Sequence, residues 1–167
     1  ASIDVKRPNT VILGIGLATL KAVRGATPLV IKDNPGVIVA GVTIDAGETL
    51  SKVLLQVGKT RGERGTAKAD PANPITLSDV YFRVGGPYVG KTQVAMQIDS
   101  DGVLIDHTWV WRADHGIEGF DRNDGAFGDS ERWRTNIGTV GLIVNGDDVT
   151  ATGLFVALGR LQRELTQ

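Results

Sequence analysis

Ile105-Asp-His-Thr-Trp-Val-Trp111 and Leu77-Ser-Asp-Val-Tyr-Phe-Arg83 are two versions of one seven-residue unit. The unit recurs as Val39-Ala-Gly-Val-Thr-Ile-Asp45 and as Ala151-Thr-Gly-Leu-Phe-Val-Ala157. Each copy has apolar residues in alternation or in a run. Each also has a glycine or polar corner in third place: Gly41, Asp79, His107 and Gly153. The corners lie 38, 28 and 46 residues apart. Repeated strands at irregular spacing predict a solenoid whose coils carry loops of different length. Such an array has two open ends and a long lateral face.

Working outward, further β-rich stretches flank these units. Ile3-Asp-Val5, Val11-Ile-Leu13 and Leu17 to Val23 come first, broken by Gly14 and Gly16, which suit a tight corner. Leu29-Val-Ile31 leads into a turn at Asp33-Asn-Pro-Gly36, where proline fixes φ and glycine accepts a positive one. Strands are also expected at Val53 to Val57, Ile75 to Val84, Gln93 to Ile98, Val103 to Trp111, Val140 to Val144 and Val149 to Val156. Two polar, charged stretches, about 58–74 and 112–138, read as long surface loops. Gly159 to Gln167 has helix-forming composition and predicts a short C-terminal helical turn. The chain therefore reads as all-β and as one domain over 1–167. Parallel stacking turns inward positions into apolar ladders. Val42, Ile44, Val80, Phe82, Val110 and Leu154 are expected inside; a one-residue slip at Trp109 and Trp111 would swap faces.

Bulk properties exclude several classes. A formal charge of −1 argues against broad attraction to nucleic acid or an anionic membrane. No apolar run approaches the ~20 residues that span a bilayer, and no charged-then-apolar leader opens the sequence. The absence of cysteine removes disulfides, thiolate nucleophiles and cysteine-based zinc sites. With only two histidines, a catalytic zinc is not expected either. No Gly-x-Ser-x-Gly elbow supports a hydrolase triad. Gly14-x-Gly16 lacks the third glycine and the following helix of a dinucleotide site. No cofactor is expected.

The run Val103-Leu-Ile-Asp-His-Thr-Trp-Val-Trp-Arg-Ala-Asp-His-Gly116 resembles glycoside hydrolase family 55, the exo-β-1,3-glucanases or laminarinases and their bacterial relatives. Val144 to Val156 and Gly14 to Leu20 carry the same resemblance, which extends from roughly Val5 to Val156. It implies a right-handed parallel β-helix, of which this chain resembles part of one half, and an extracellular setting. The family typically continues Gly-Leu-Phe-Val with a glutamate and a histidine; here Ala157 and Leu158 stand in their place. The resemblance also puts the family's general acid beyond the end of this chain. Most glycoside hydrolysis needs two carboxylates in defined geometry. The expectation is therefore no catalytic residue within this chain, and no hydrolysis by it alone.

Candidate carbohydrate-binding residues are Trp109, Trp111, Arg112, Asp114, His115 and Trp133. An indole face complements the apolar face of a pyranose, while the plainer reading packs one tryptophan inside the coil and the other against a loop. Arg112, Asp114 and His115 make either a charged sugar-binding cluster or a loop anchored by an Arg–carboxylate pair. His107 reads as a structural corner. Asp121, Asn123, Asp124 and Asp129 gather oxygens but miss the spacing of a calcium-binding EF-hand loop, so no metal ligand is assigned. Glu118 and Glu131 lie in the loop near the tryptophans, with nothing in the sequence to fix their separation.

Three functions follow. The leading expectation is a non-catalytic structural β-helix that forms homo-oligomers or polymers through its solenoid ends, since uncapped ends associate. The alternative is a β-1,3-glucan-binding module. The last is a partial exo-β-1,3-glucanase completed by a partner chain.

Overall fold

The computed structural model describes residues 2–16, 18–59, 70–86, 88–113 and 135–157. Among them are thirteen strands and no helix. The chain passes alternately through two parallel sheets, and each circuit lies one step beyond the last. The first circuit holds β1 (Ile3–Val5), β2 (Val11–Leu13) and β3 (Thr19–Lys21). The second holds β4 (Leu29–Ile31) and β5 (Ile38–Asp45); the third, β6 (Ser51–Val57) and β7 (Ile75–Val84). The fourth holds β8 (Lys91–Ile98), β9 (Val103–Asp106) and β10 (Trp109–Arg112). The fifth holds β11 (Ile137–Val144), β12 (Thr150–Thr152) and β13 (Phe155–Ala157). One sheet runs in the order β1-β4-β6-β8-β11. The other carries the seven-residue units, with β5 and β7 at its centre.

The register is the one the repeats imply. Val39 pairs Leu77 and Leu77 pairs Ile105, while Ala151 pairs Ile105. Past the corner, Ile44 pairs Phe82, Phe82 pairs Val110 and Val110 pairs Val156. In the facing sheet Leu29, Leu55, Met96 and Leu142 form a ladder, as do Ile31, Val57, Ile98 and Val144. Period-2 alternation aims these ladders at one another, and most of their members are fully buried. Each enclosed Val, Ile or Leu contributes about 1.5–3 kcal/mol. Val42, Ile44, Val80, Phe82 and Val110 lie inside as expected. Leu154 is only half-buried.

The corner residues explain the bend. Gly41, Asp79, His107 and Gly153 all take positive φ, from 48° to 67°. The chain turns there; β5 and β7 run on through the corner, whereas Val103 to Trp111 and Val149 to Val156 are each two strands rather than one. The first circuit widens the corner into a loop between β2 and β3. Gly14 sits there because a Cβ would strike the Gly41 carbonyl. β8 and β11 begin earlier than the sequence suggested, at Lys91 and Ile137. The expected C-terminal helical turn, and most of both long loops, lie outside the described residues.

Candidate functional site

The limb of the second sheet that follows the corner presents two outward ladders. The fifth place of the unit aligns Thr19, Thr43, Tyr81, Trp109 and Phe155 across the five circuits. The seventh place aligns Lys21, Asp45, Arg83, Trp111 and Ala157. Alternation with buried Ile44, Phe82 and Val110 forces both ladders outward.

Three aromatic rings stand together in the first ladder. Trp109 is 53% exposed, Phe155 49% and Tyr81 39%. The Trp109 and Phe155 rings lie 5.1 Å apart, tilted at 42°. Tyr81 is one circuit earlier, at the inter-strand spacing of about 4.8 Å. Its hydroxyl donates to Asp79 Oδ1 at 3.3 Å. Trp111 is 37% exposed in the neighbouring ladder. Large apolar side chains left bare in a row are the informative exception on a soluble surface.

The second ladder is charged. Arg83 donates from Nε and Nη2 to the two oxygens of Asp45, at 2.9 and 2.7 Å. This fork-to-fork pair keeps the guanidinium firmly charged, its pKa raised above the ordinary value. Lys21 Nζ stands 4.3 Å from the centre of the Tyr88 ring. Together with Ala46 and Gly85, these side chains line a recess of about 100 Å³ that opens to solvent.

At the corner, His107 Nδ1 lies 3.0 Å from Asp106 Oδ2, and Thr152 Oγ1 donates to Asp106 Oδ1 at 2.6 Å. The bond to Asp106, helped by its charge, raises the His107 pKa. Bonds from Thr152 and His107 lower that of Asp106. His107 is thus a paired corner residue on the surface. Behind the site, buried Asn136 accepts from the Gly90 N–H at 3.0 Å and donates to the Ala113 carbonyl at 2.8 Å. It ties the turn before β8 to the end of β10.

The sequence-derived candidates fare unevenly. Trp109 and Trp111 both point outward, not into the coil, and Val110 between them is buried. Arg112 pairs Val84 in register and is half-buried at the end of β10. Asp114, His115 and Trp133 lie outside the described residues, as do Glu118, Glu131 and the Asp121 to Asp129 group. Among the described residues no group of three or more His, Asp or Glu could hold a metal ion. Tyr81, Phe155 and the Lys21–Asp45–Arg83–Tyr88 cluster were not foreseen.

Fold and flank together define a parallel all-β protein with an aromatic lateral face. The chain belongs to the LAM55 pectate lyase-like domain family, whose model matches residues 1–164. It is 44% identical over 154 residues to an exo-β-1,3-glucanase of Streptomyces sp. (strain SirexAA-E / ActE), covering 92% of this chain and 23% of that protein. It also resembles the solved structure of a variant of sacteLam55A from Streptomyces sp. SirexAA-E in complex with glucose. There the TM-score is 0.72 and the identity 42%, over 91% of this chain and 24% of the other. The chain thus spans about a quarter of the length of these relatives.

Proposed function

We propose that this chain forms part of a right-handed parallel β-helix that holds β-1,3-glucan against its aromatic flank, as a portion of an exo-β-1,3-glucanase-type protein. The observation that carries this reading is the bare Tyr81–Trp109–Phe155 ladder, on a chain 44% identical to a named exo-β-1,3-glucanase. Flat aromatic faces complement the C–H face of a pyranose and bring large contact area at low entropic cost. Trp109 and Trp111 are the proposed sugar contacts, with Tyr81 and Phe155 extending the platform. Arg112 at the end of β10, with Asp114, His115 and Trp133 further along the sequence, completes the proposed set. Right-handed winding follows from the strong preference of parallel crossovers for that hand.

Glucan cleavage belongs, in this reading, to the longer protein or to an assembly with a partner chain. It calls for two free carboxylates. On this flank Asp45 is engaged by Arg83, and Asp106 by Thr152 and His107. Ala157 follows Trp111 in register. An extracellular setting goes with the reading, because polymeric glucan does not cross membranes. Head-to-tail self-association, the leading expectation from sequence, draws no support from these observations; the glucanase relatives favour the alternative.

The test is calorimetric titration with laminari-oligosaccharides, with cello-oligosaccharides as the comparison. Saturable binding of the β-1,3-linked series, tighter than the β-1,4-linked series, is the expected outcome. Silence with both, from folded protein, refutes the proposal.

A further inference from the structure

The recess beside the aromatic flank carries an unmatched charge. Lys21, Asp45 and Arg83 occupy three successive rungs of one ladder, so Asp45 stands between two cations. Both of its oxygens go to Arg83. Lys21 turns instead to the face of Tyr88, and among the described residues no carboxylate pairs with it. A ring face attracts an ammonium but accepts no set of directed hydrogen bonds from its three N–H groups. Among the described residues the recess therefore holds one positive charge in excess, with Lys21 donors still open. Its cavity of about 100 Å³ is smaller than a pocket for a whole ligand and suits a single charged group of one. Trp111 follows Arg83 in the same ladder, so a glycan lying on the aromatic rings reaches it directly.

We propose that the recess formed by Lys21, Arg83 and Tyr88 binds the carboxylate of an acidic pyranose, a hexuronate unit within a glycan. This goes beyond neutral glucan binding, and rests on it only for the stacked rings next door. Lys21 supplies the charge, and the Arg83–Asp45 pair fixes the wall against which the unit sits.

Titration calorimetry compares a laminari-oligosaccharide with one of equal length oxidised at C6 to glucuronate. The acidic ligand is expected to bind up to about fivefold tighter at low ionic strength, the gap closing as salt rises. Lys21→Met removes the preference and leaves neutral binding unchanged, while Lys21→Arg keeps it. Equal affinities, or a preference that survives Lys21→Met, overturn the proposal. Acetate binding as tightly as the acidic oligosaccharide overturns the sugar assignment. Lys21-dependent acidic binding without neutral binding sinks the glucan reading and upholds this one; no binding of either ligand refutes both.

Discussion

Removing the Trp109 ring is the sharpest test of the flank. Trp109 keeps 53% of its surface exposed. Aromatic side chains carry about 150–250 Å² in all, so roughly 100 Å² of indole is open to a ligand. A pyranose stacked on one face covers about half to all of that. At ~25 cal/mol per Å² this is about 1–2.5 kcal/mol, reduced by the ordering of the sugar. Trp109→Ala should therefore weaken laminari-oligosaccharide binding by about tenfold. The substitution also removes the ring contact with Phe155, worth about 0.5–1.5 kcal/mol, so a fall in Tm of a few degrees is expected. Calorimetric titration well below that Tm separates binding from folding. Leu13→Ala is the control: Leu13 is 63% exposed, also outward, but on the limb before the corner. A Trp109→Ala affinity within twofold of the parent refutes the assignment, as does an equal loss in Leu13→Ala.

Two further outcomes concern the frame behind the flank. Asn136→Ala strands the buried Gly90 N–H and Ala113 carbonyl and should lower unfolding free energy by about 2–4 kcal/mol, read by urea denaturation; a loss below about 1 kcal/mol would contradict those bonds. The His107 imidazole should titrate above 6.5 by NMR, and Asp106→Asn should bring it back toward that value; no change would contradict the pairing. The sign of the pH effect follows from linkage. His107, raised in the folded state, contributes fully below 6.5 and loses its contribution as pH climbs through the raised value. Asp106, lowered from 3.8, contributes above that value and loses its contribution as pH falls through the lowered one.

Much of the fold could be read in the sequence because a coil repeats its chemistry at each rung. The four corners named from the repeats all take positive φ, and the spacing between them is the strand register. The candidate site was less legible, for a physical reason. Trp109 and Trp111 were visible as residues, but their direction depends on which of two alternating faces meets the core, and Val110 decides that only once Phe82 and Val156 are known to align with it. The missed partners were present in the same columns. Aligning the four units by their corners puts Tyr81, Trp109 and Phe155 in fifth place and Asp45, Arg83 and Trp111 in seventh. Lys21 and Tyr88 were harder. Lys21 belongs to a circuit whose corner is opened into a loop, and Tyr88 lies in a turn outside the repeat. Neither offers a sequence period by which to place it.

The corners connect strain to the flank. Glycine occupies the second and fifth circuits, at Gly41 and Gly153, but Asp79 and His107 take the same left-handed conformation in between, with φ of 52° and 48°. That region costs a residue with a Cβ about 1–2 kcal/mol, less for Asp, whose short polar side chain bonds locally. Both central corners show such compensation. Asp79 accepts from the Tyr81 hydroxyl and from Ser78 Oγ. The His107 backbone N–H donates to the Thr152 carbonyl, and its ring holds Asp106. Glycine would relax the backbone here and keep the N–H bond to Thr152, but it has no side chain to hold Tyr81 or Asp106. The two strained corners fall in the circuits that carry Tyr81 and Trp109, and Asp79 fixes the hydroxyl end of the first of those rings. Strain at the bend and order in the aromatic ladder thus meet at Asp79: the residue that turns the third circuit also holds the ring that circuit presents.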